Sequence, residues 1–245
     1  MCYPSVAQST THTLKQLAAL GWEVTMTSQQ PVIEYFFSFV SLWSYIGSRR
    51  LQLLAQHHNA QIIYKPIDLA RVFAVSGGLP VKERSVQRQA YRLLEMDRWT
   101  NIRGLPIVKH PKHYPADPSL AHRVLLAAID ELGHDNESVQ EFARLGLDTV
   151  WADEGNIADP ETIMEIANDA GLDGSRLLAR AQEERGLAEQ EEALSQEAVN
   201  RSIFGAPTYF YRGEPFWGQD RLELLDGVIL SGRPPLLLPG PEALQ

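Results

Sequence analysis

A single cysteine, Cys2, is the whole thiol inventory of this chain. One cysteine excludes an internal disulfide and a Cys-rich metal site, and it fits a reducing cytoplasm. Positive charge is also scarce. Twenty-two Lys and Arg stand against 31 Asp and Glu, a net charge of −9 with no basic cluster, which argues against nucleic acid as a partner. No apolar run approaches the roughly 18 residues that a membrane helix needs. Leu17 to Leu20, following Lys15, is too short for the core of a signal peptide. There is no Gly-x-Ser-x-Gly elbow of a hydrolase, and Ser76-Gly77-Gly78 does not make a phosphate loop. His57-His58 and His110-x-x-His113 bring no carboxylate with them and fall short of the three or four converging ligands that zinc takes.

What is present is an ordinary globular composition, 44% hydrophobic and 22% charged, enough to bury a sizeable core. The chain is organised around Glu34 to Gly47. Val32, Ile33, Tyr35, Phe36, Phe37 and Val40 are β-branched or aromatic and follow Pro31, so they predict a strand. From Ser41 the pattern turns helical, with Trp43, Ile46, Leu51, Leu53 and Leu54 as an apolar stripe. A strand that feeds directly into a helix presents free backbone N–H groups at the end of a sheet, where an anion is favoured. Thioredoxin-like folds place Cys-x-x-Cys there, because the helix terminus stabilises a thiolate. Here the register reads Ser41-Leu42-Trp43-Ser44. Two serines cannot cycle through a disulfide, so chemistry at this place is non-redox or uses a borrowed sulfur. Ser41 is equally a good helix cap, worth about 1 kcal/mol.

Residues 61–67 predict a second strand, parallel to the first because the connection is long enough for a crossover. Asp68 to Phe73 leaves the sheet, and a helix is predicted over about 83–102, stopped by Gly104-Leu105-Pro106. Helical periodicity then fills the middle of the chain, with Asp-Pro starts at 117–118 and 159–160. The acidic runs Glu183-Glu184 and Glu189 to Glu192 read as a solvated face. Strand signals return at 206–211 and 215–217 as an antiparallel hairpin, followed by a last helix after Gly218 and an irregular tail. The order β-α-β, helices, β-β-α predicts an α/β thioredoxin-like fold with an inserted all-helical domain. Its parts are 31–75 with 202–233 for the sheet, 76–201 for the insertion and 234–245 for the tail. Residues 1–30 carry no motif and read as an N-terminal extension open to disorder. Met26 lies just before the first strand and is expected as the native start. N-terminal sequencing that finds Cys2 or Tyr3 in the natural protein would refute this. Pro207 lacks an N–H for the ladder, so it belongs at a strand start or edge.

Six segments in this order carry a resemblance: Phe39 to Tyr45, Ile67 to Val72, Arg98-Trp99 with Gly104-Leu105-Pro106, Val150-Trp151, Ile203 to Thr208, and Phe216 to Leu222. Together they resemble the 2-hydroxychromene-2-carboxylate isomerases, relatives of the kappa-class glutathione transferases and the DsbA-like proteins. The resemblance implies glutathione as cofactor, a homodimer, and a small aromatic substrate. It places Ser41 beside the glutathione sulfur and Ala206, before a cis Pro207, against the cysteinyl unit. Trp217, Gly218, Gln219 and Asp220 match the segment at the γ-glutamyl end, and Tyr114 falls in the substrate pocket. Arg71 or Lys82 is expected to meet a substrate carboxylate; Arg71 is alternatively a structural pair for Asp68. Leu42 and Phe73 stand where the family usually has proline and lysine, and the family's asparagine near 80–83 is missing.

The implied reaction is a glutathione-dependent cis–trans isomerisation of 2-hydroxychromene-2-carboxylate, or a related ring-cleavage product, to trans-o-hydroxybenzylidenepyruvate. Transient thiolate addition would make the conjugated double bond single. Two other readings keep the same fold. One is a kappa-like transferase or peroxidase that consumes glutathione, and the other is a non-catalytic binder of thiol peptides.

Overall fold

Alternation decides how the first strand, β1 (Val32–Phe37), is used. Ile33, Tyr35 and Phe37 enter the main core, whereas Phe36 faces the other way, into a smaller cluster with Ile67, Val72, Ala198, Ile203 and Phe210. This is the two-residue period of a strand with both faces covered. The computed structural model describes residues 30–240. Cys2 and the expected start at Met26 lie outside those residues, and so does most of the predicted extension.

The sheet has four strands in the order β2 (Gln61–Pro66), β1, β3 (Thr208–Tyr211), β4 (Glu214–Trp217). β1 and β2 are parallel, as the crossover length predicts, and β3 is antiparallel to both β1 and β4. Tyr35 lies opposite Tyr209, and their rings stack at 5.3 Å. The β3–β4 turn is Arg212-Gly213 with φ of 53° and 86°, the pair of positive φ values that matches strand twist in a two-residue hairpin.

The crossover helix α1 (Leu42–His58) ends on Asn59, in the left-handed region at φ 49°. Its buried stripe is Leu42, Tyr45, Ile46, Leu51 and Leu54. Leu53, expected in the stripe, is 58% exposed, because it falls a third of a turn off the buried line. The segment after β2 is not a plain exit from the sheet. It forms α2 (Leu69–Ser76), started by the Asp68 carboxylate accepting from the Ala70 N–H at 2.8 Å.

Five helices follow: α3 (Val86–Arg103), α4 (Ser119–Leu132), α5 (Glu137–Trp151), α6 (Pro160–Asp169) and α7 (Gly174–Glu183). α4 is central to them, packing against α5, α6 and α7, and its Ala121, Val124, Leu125 and Ala128 are fully enclosed. α8 (Arg185–Asn200) ends the segment expected as an insertion, and it packs back on β2 and α2. Its Ala198 joins the smaller core cluster. Beside that cluster, Lys65 bridges Glu34 at 2.7 Å and Glu197 at 2.6 Å, and Arg201 pairs with both carboxylates. α9 (Leu222–Ser231) follows a 3-10 turn at Gln219–Arg221 and packs on α1. Among the described residues no helix is long and apolar enough to cross a membrane.

Candidate functional site

Ser41 is the residue where β1 has ended and α1 has not begun. Its backbone is extended, at φ −88° and ψ 110°, and its N–H bonds the Ser38 carbonyl at 2.9 Å. The Oγ accepts from the Ser44 N–H at 3.2 Å, which is a helix cap. The same hydroxyl donates to the Ala206 carbonyl at 3.0 Å, across 165 residues of sequence. Cap and long-range contact therefore share one atom, and Ser41 as a whole is 5% exposed.

Ala206 precedes Pro207 through a cis peptide bond. The Pro207 carbonyl accepts from the Gly218 N–H at 2.9 Å, tying the turn before β3 to the end of β4. Gly218 has φ 104°, and a Cβ there would lie 2.5 Å from Asp220 Oδ1, so only glycine fits. Gln219, next along, is buried against α1. A Cβ on Gly47 would lie 2.8 Å from Gln219 Cβ and 2.7 Å from Tyr209 Oη. Helix, cis-proline turn and β4 exit thus converge on one place, and Ser41, Ala206, Pro207, Gly218 and Gln219 are together in it. Trp217 borders it, 52% exposed, with its ring 4.5 Å from that of Phe204. Asp220 is exposed and pairs with its neighbour Arg221 at 2.9 Å.

Polar atoms around this junction are left over. Ser44 Oγ, Tyr209 Oη and Gln219 Oε1 are buried and have no hydrogen-bond partner among the described residues. Such atoms cost stability unless something satisfies them. Burial pushes the Tyr209 phenol well above its usual range, so it stays a neutral donor.

Among the described residues, none of those expected on the substrate side forms a hydrogen bond with Ser41 Oγ. Arg71 donates to Glu192 Oε1 at 2.9 Å and to Gln196 Oε1 at 2.9 Å, both on α8. The expected Arg71–Asp68 pair is absent, because the Asp68 carboxylate is taken up capping α2. Lys82 lies exposed in a 3-10 turn, Val81–Glu83, and its ammonium has no ion pair among the described residues. Tyr114 is half-buried against Trp151, with ring centres 4.8 Å apart. The Arg92 guanidinium lies 5.9 Å from the Tyr114 ring and 5.3 Å from that of Trp151.

Two features escaped the sequence reading. Arg92 reads there as one more charge on a polar helix, yet it is 9% exposed. Behind Ser41, Ser38 Oγ lies 3.3 Å from His122 Nε2, and His122 Nδ1 lies 2.8 Å from Glu191 Oε1. A carboxylate only accepts, so Nδ1 carries the proton toward Glu191, and in the neutral ring Nε2 is then the acceptor for Ser38 Oγ–H. No spacing in the sequence announces a trio whose members are 84 and 69 residues apart. His58 Nε2 contacts Asp226 at 2.5 Å. Among the described residues no three His, Cys, Asp or Glu side chains converge as metal ligands.

Comparison with known proteins gives a consistent answer. The family described as DSBA-like thioredoxin domain matches residues 32–229. The chain is similar to a 2-hydroxychromene-2-carboxylate isomerase of Pseudomonas putida, 27% identical over 81% of this chain and 94% of that protein. A protein of the same name from Sphingobium xenophagum is also 27% identical, over 81% of this chain and 98% of its own length. Among solved structures, a 2-hydroxychromene-2-carboxylate isomerase superposes with a TM-score of 0.68 at 26% identity, covering 82% of this chain and 95% of that one.

Proposed function

The chain belongs to the DSBA-like thioredoxin domain family, and from that premise we propose that it is a glutathione-dependent isomerase. Its substrate is 2-hydroxychromene-2-carboxylate or a related product of aromatic ring cleavage. The observation that carries the reading is Ser41. Its hydroxyl caps α1 and reaches the carbonyl before the cis-proline, at the point where redox members of the fold hold a cysteine. Relatives named for this isomerisation match over four-fifths of the chain, at 27% identity.

The residues present fit glutathione. The γ-glutamyl peptide carries amide N–H groups and carboxylates, and the unsatisfied Gln219 Oε1, Ser44 Oγ and Tyr209 Oη are the acceptor and hydroxyls that such groups engage. Asp220, exposed beside them, offers a carboxylate to the ammonium end, with Gly218 and Trp217 lining the approach and Ala206-Pro207 facing the cysteinyl unit. Glutathione supplies a thiol whose reversible addition to a conjugated double bond frees that bond to rotate. Ser41 Oγ–H, turned from the Ala206 carbonyl, and the first-turn N–H groups of α1 would hold that sulfur as its anion, because the helix start lacks internal acceptors and carries partial positive charge.

The test follows the ring-closed substrate spectrally with and without glutathione, in wild type and Ser41→Ala. Glutathione-dependent equilibration with no loss of glutathione, slowed about 100-fold in the variant, is expected for loss of one donor to a developing anion. Absence of both turnover and glutathione binding in the wild type would sink the reading.

A further inference from the structure

Arg92 is a buried cation without a counter-charge. Of its five N–H donors, one meets the thioether of Met96, Nη1 to Sδ at 3.3 Å, and sulfur there is a weak acceptor. No carboxylate among the described residues lies within the 4.0 Å of an ion pair. What holds the guanidinium is the pair of rings, Trp151 and Tyr114, a cation–π arrangement that leaves its edge nitrogens free. Arg84 has the same character: half-buried, Nε on the Leu79 carbonyl at 2.8 Å, and no acidic partner among the described residues. Burial holds both arginines below their usual range, each feels the Tyr114 phenol, and Arg84 adds its own charge at Arg92. Two guanidiniums and a phenol thus share one neighbourhood with no anion in it. A largely buried, unpaired charge is costly, so an anion at the open edge of the guanidinium would stabilise it.

The cluster is tied to the Ser41 turn. The Tyr45 N–H donates to the Ser41 carbonyl at 3.1 Å, and Tyr45 Oη donates to the Pro106 carbonyl at 2.5 Å. The same segment then bonds Val108 N–H to the Trp151 carbonyl at 2.8 Å on its way to Tyr114. Planar acceptors suit a guanidinium edge, and a flat ring suits the half-buried Tyr114. We propose that Arg92, supported by Arg84 and Tyr114, forms the subsite for the carboxylate of a small conjugated aromatic acid. The assignment rests on reading the Ser41 site as one for such an acid, and it replaces Arg71 and Lys82 in that role.

The test measures equilibrium binding of trans-cinnamate and of its neutral amide, cinnamamide, by quenching of tryptophan fluorescence, with no turnover required. Wild type is expected to bind cinnamate roughly 10–100 times more tightly than the amide, as for one charge-assisted pair. Arg92→Leu should erase that preference, and Arg92→Lys should keep part of it. Equal binding of acid and amide by wild type, binding of neither, or a preference that survives Arg92→Leu would overturn the subsite. If Arg92→Leu does not fold, the wild-type ratio and Arg92→Lys decide. Glutathione-dependent turnover is assayed separately, so an isomerase with a different carboxylate anchor is told apart from a protein that is no isomerase.

Discussion

Gly47→Ala sets two effects of known size against each other. Gly47 lies inside α1, where alanine ordinarily gains about 1 kcal/mol through backbone entropy. The new methyl, however, would sit 2.7 Å from Tyr209 Oη and 2.8 Å from Gln219 Cβ. Neither neighbour can retreat. The Tyr209 ring is fully buried and stacked on Tyr35, and Gln219 Cβ is attached to a backbone pinned by the Gly218–Pro207 hydrogen bond. Overpacking of this kind costs about 1–3 kcal/mol, so a net loss of about 1 kcal/mol is expected, or roughly 2–4 °C in Tm for a chain of this size. A shift of Gln219 should also weaken glutathione binding by about tenfold, the equivalent of about 1.4 kcal/mol. Gly227→Ala is the control: it lies inside α9, and its added methyl meets nothing within 4 Å, so the same substitution should raise Tm. Differential scanning calorimetry reads the stabilities and titration calorimetry reads the binding. If Gly47→Ala raises Tm as Gly227→Ala does, α1 does not press on the 218–220 turn as described, and the site geometry built on that contact fails with it.

The tail after α9 is held by one buried carboxylate. Glu214 pairs with Arg233 at 2.7 Å and accepts the Leu236 N–H at 2.9 Å, and these bonds, Arg233 first, hold its pKa below the ordinary 4.5. A depressed folded value contributes stability above the unfolded pKa and loses it as pH falls through the folded one. Wild type should therefore exceed Glu214→Gln in Tm at pH 7, and the gap should narrow as pH falls below about 4.5; a gap that acidification leaves unchanged would contradict this. At the buried trio, Glu191→Leu leaves the His122 Nδ1–H unpaired and is expected to cost about 1–3 kcal/mol in urea unfolding. The double variant Glu191→Leu, His122→Phe should recover part of that loss, since the imidazole N–H is then gone and only the Ser38 hydroxyl is left without a partner. An equal cost for both proteins would mean that packing, rather than the hydrogen bond, is what Glu191 provides.

Local pattern carried the first half of the site. The strand-to-helix switch at Ser41 is written in adjacent residues, and so are the Asp159 cap, the Arg212-Gly213 hairpin and the position of Pro207 ahead of β3. The resemblance across six short segments added the contact between distant halves, and the Ser41–Ala206 hydrogen bond is where it lands. α2 escaped because its eight residues are too short for a periodic signal and only Val72 is buried. The Arg71–Asp68 pair misled for another reason: the partners Arg71 takes, Glu192 and Gln196, are more than 120 residues away, and a charge in a sequence does not name its counter-charge. Arg92 was invisible on the same ground, since its meaning lies in the carboxylate it does not have.

The hydrogen bond from Ser41 to Ala206 joins the second element of the fold to one near its end, 165 residues later. During synthesis the serine emerges early and waits, through all the helices of the middle segment, for its carbonyl partner and for Gly218 and Gln219 beyond it. A nascent or prematurely terminated chain that stops within α8 possesses the serine but not the other wall. A ligand that binds this site would therefore stabilise only molecules whose last strands have docked.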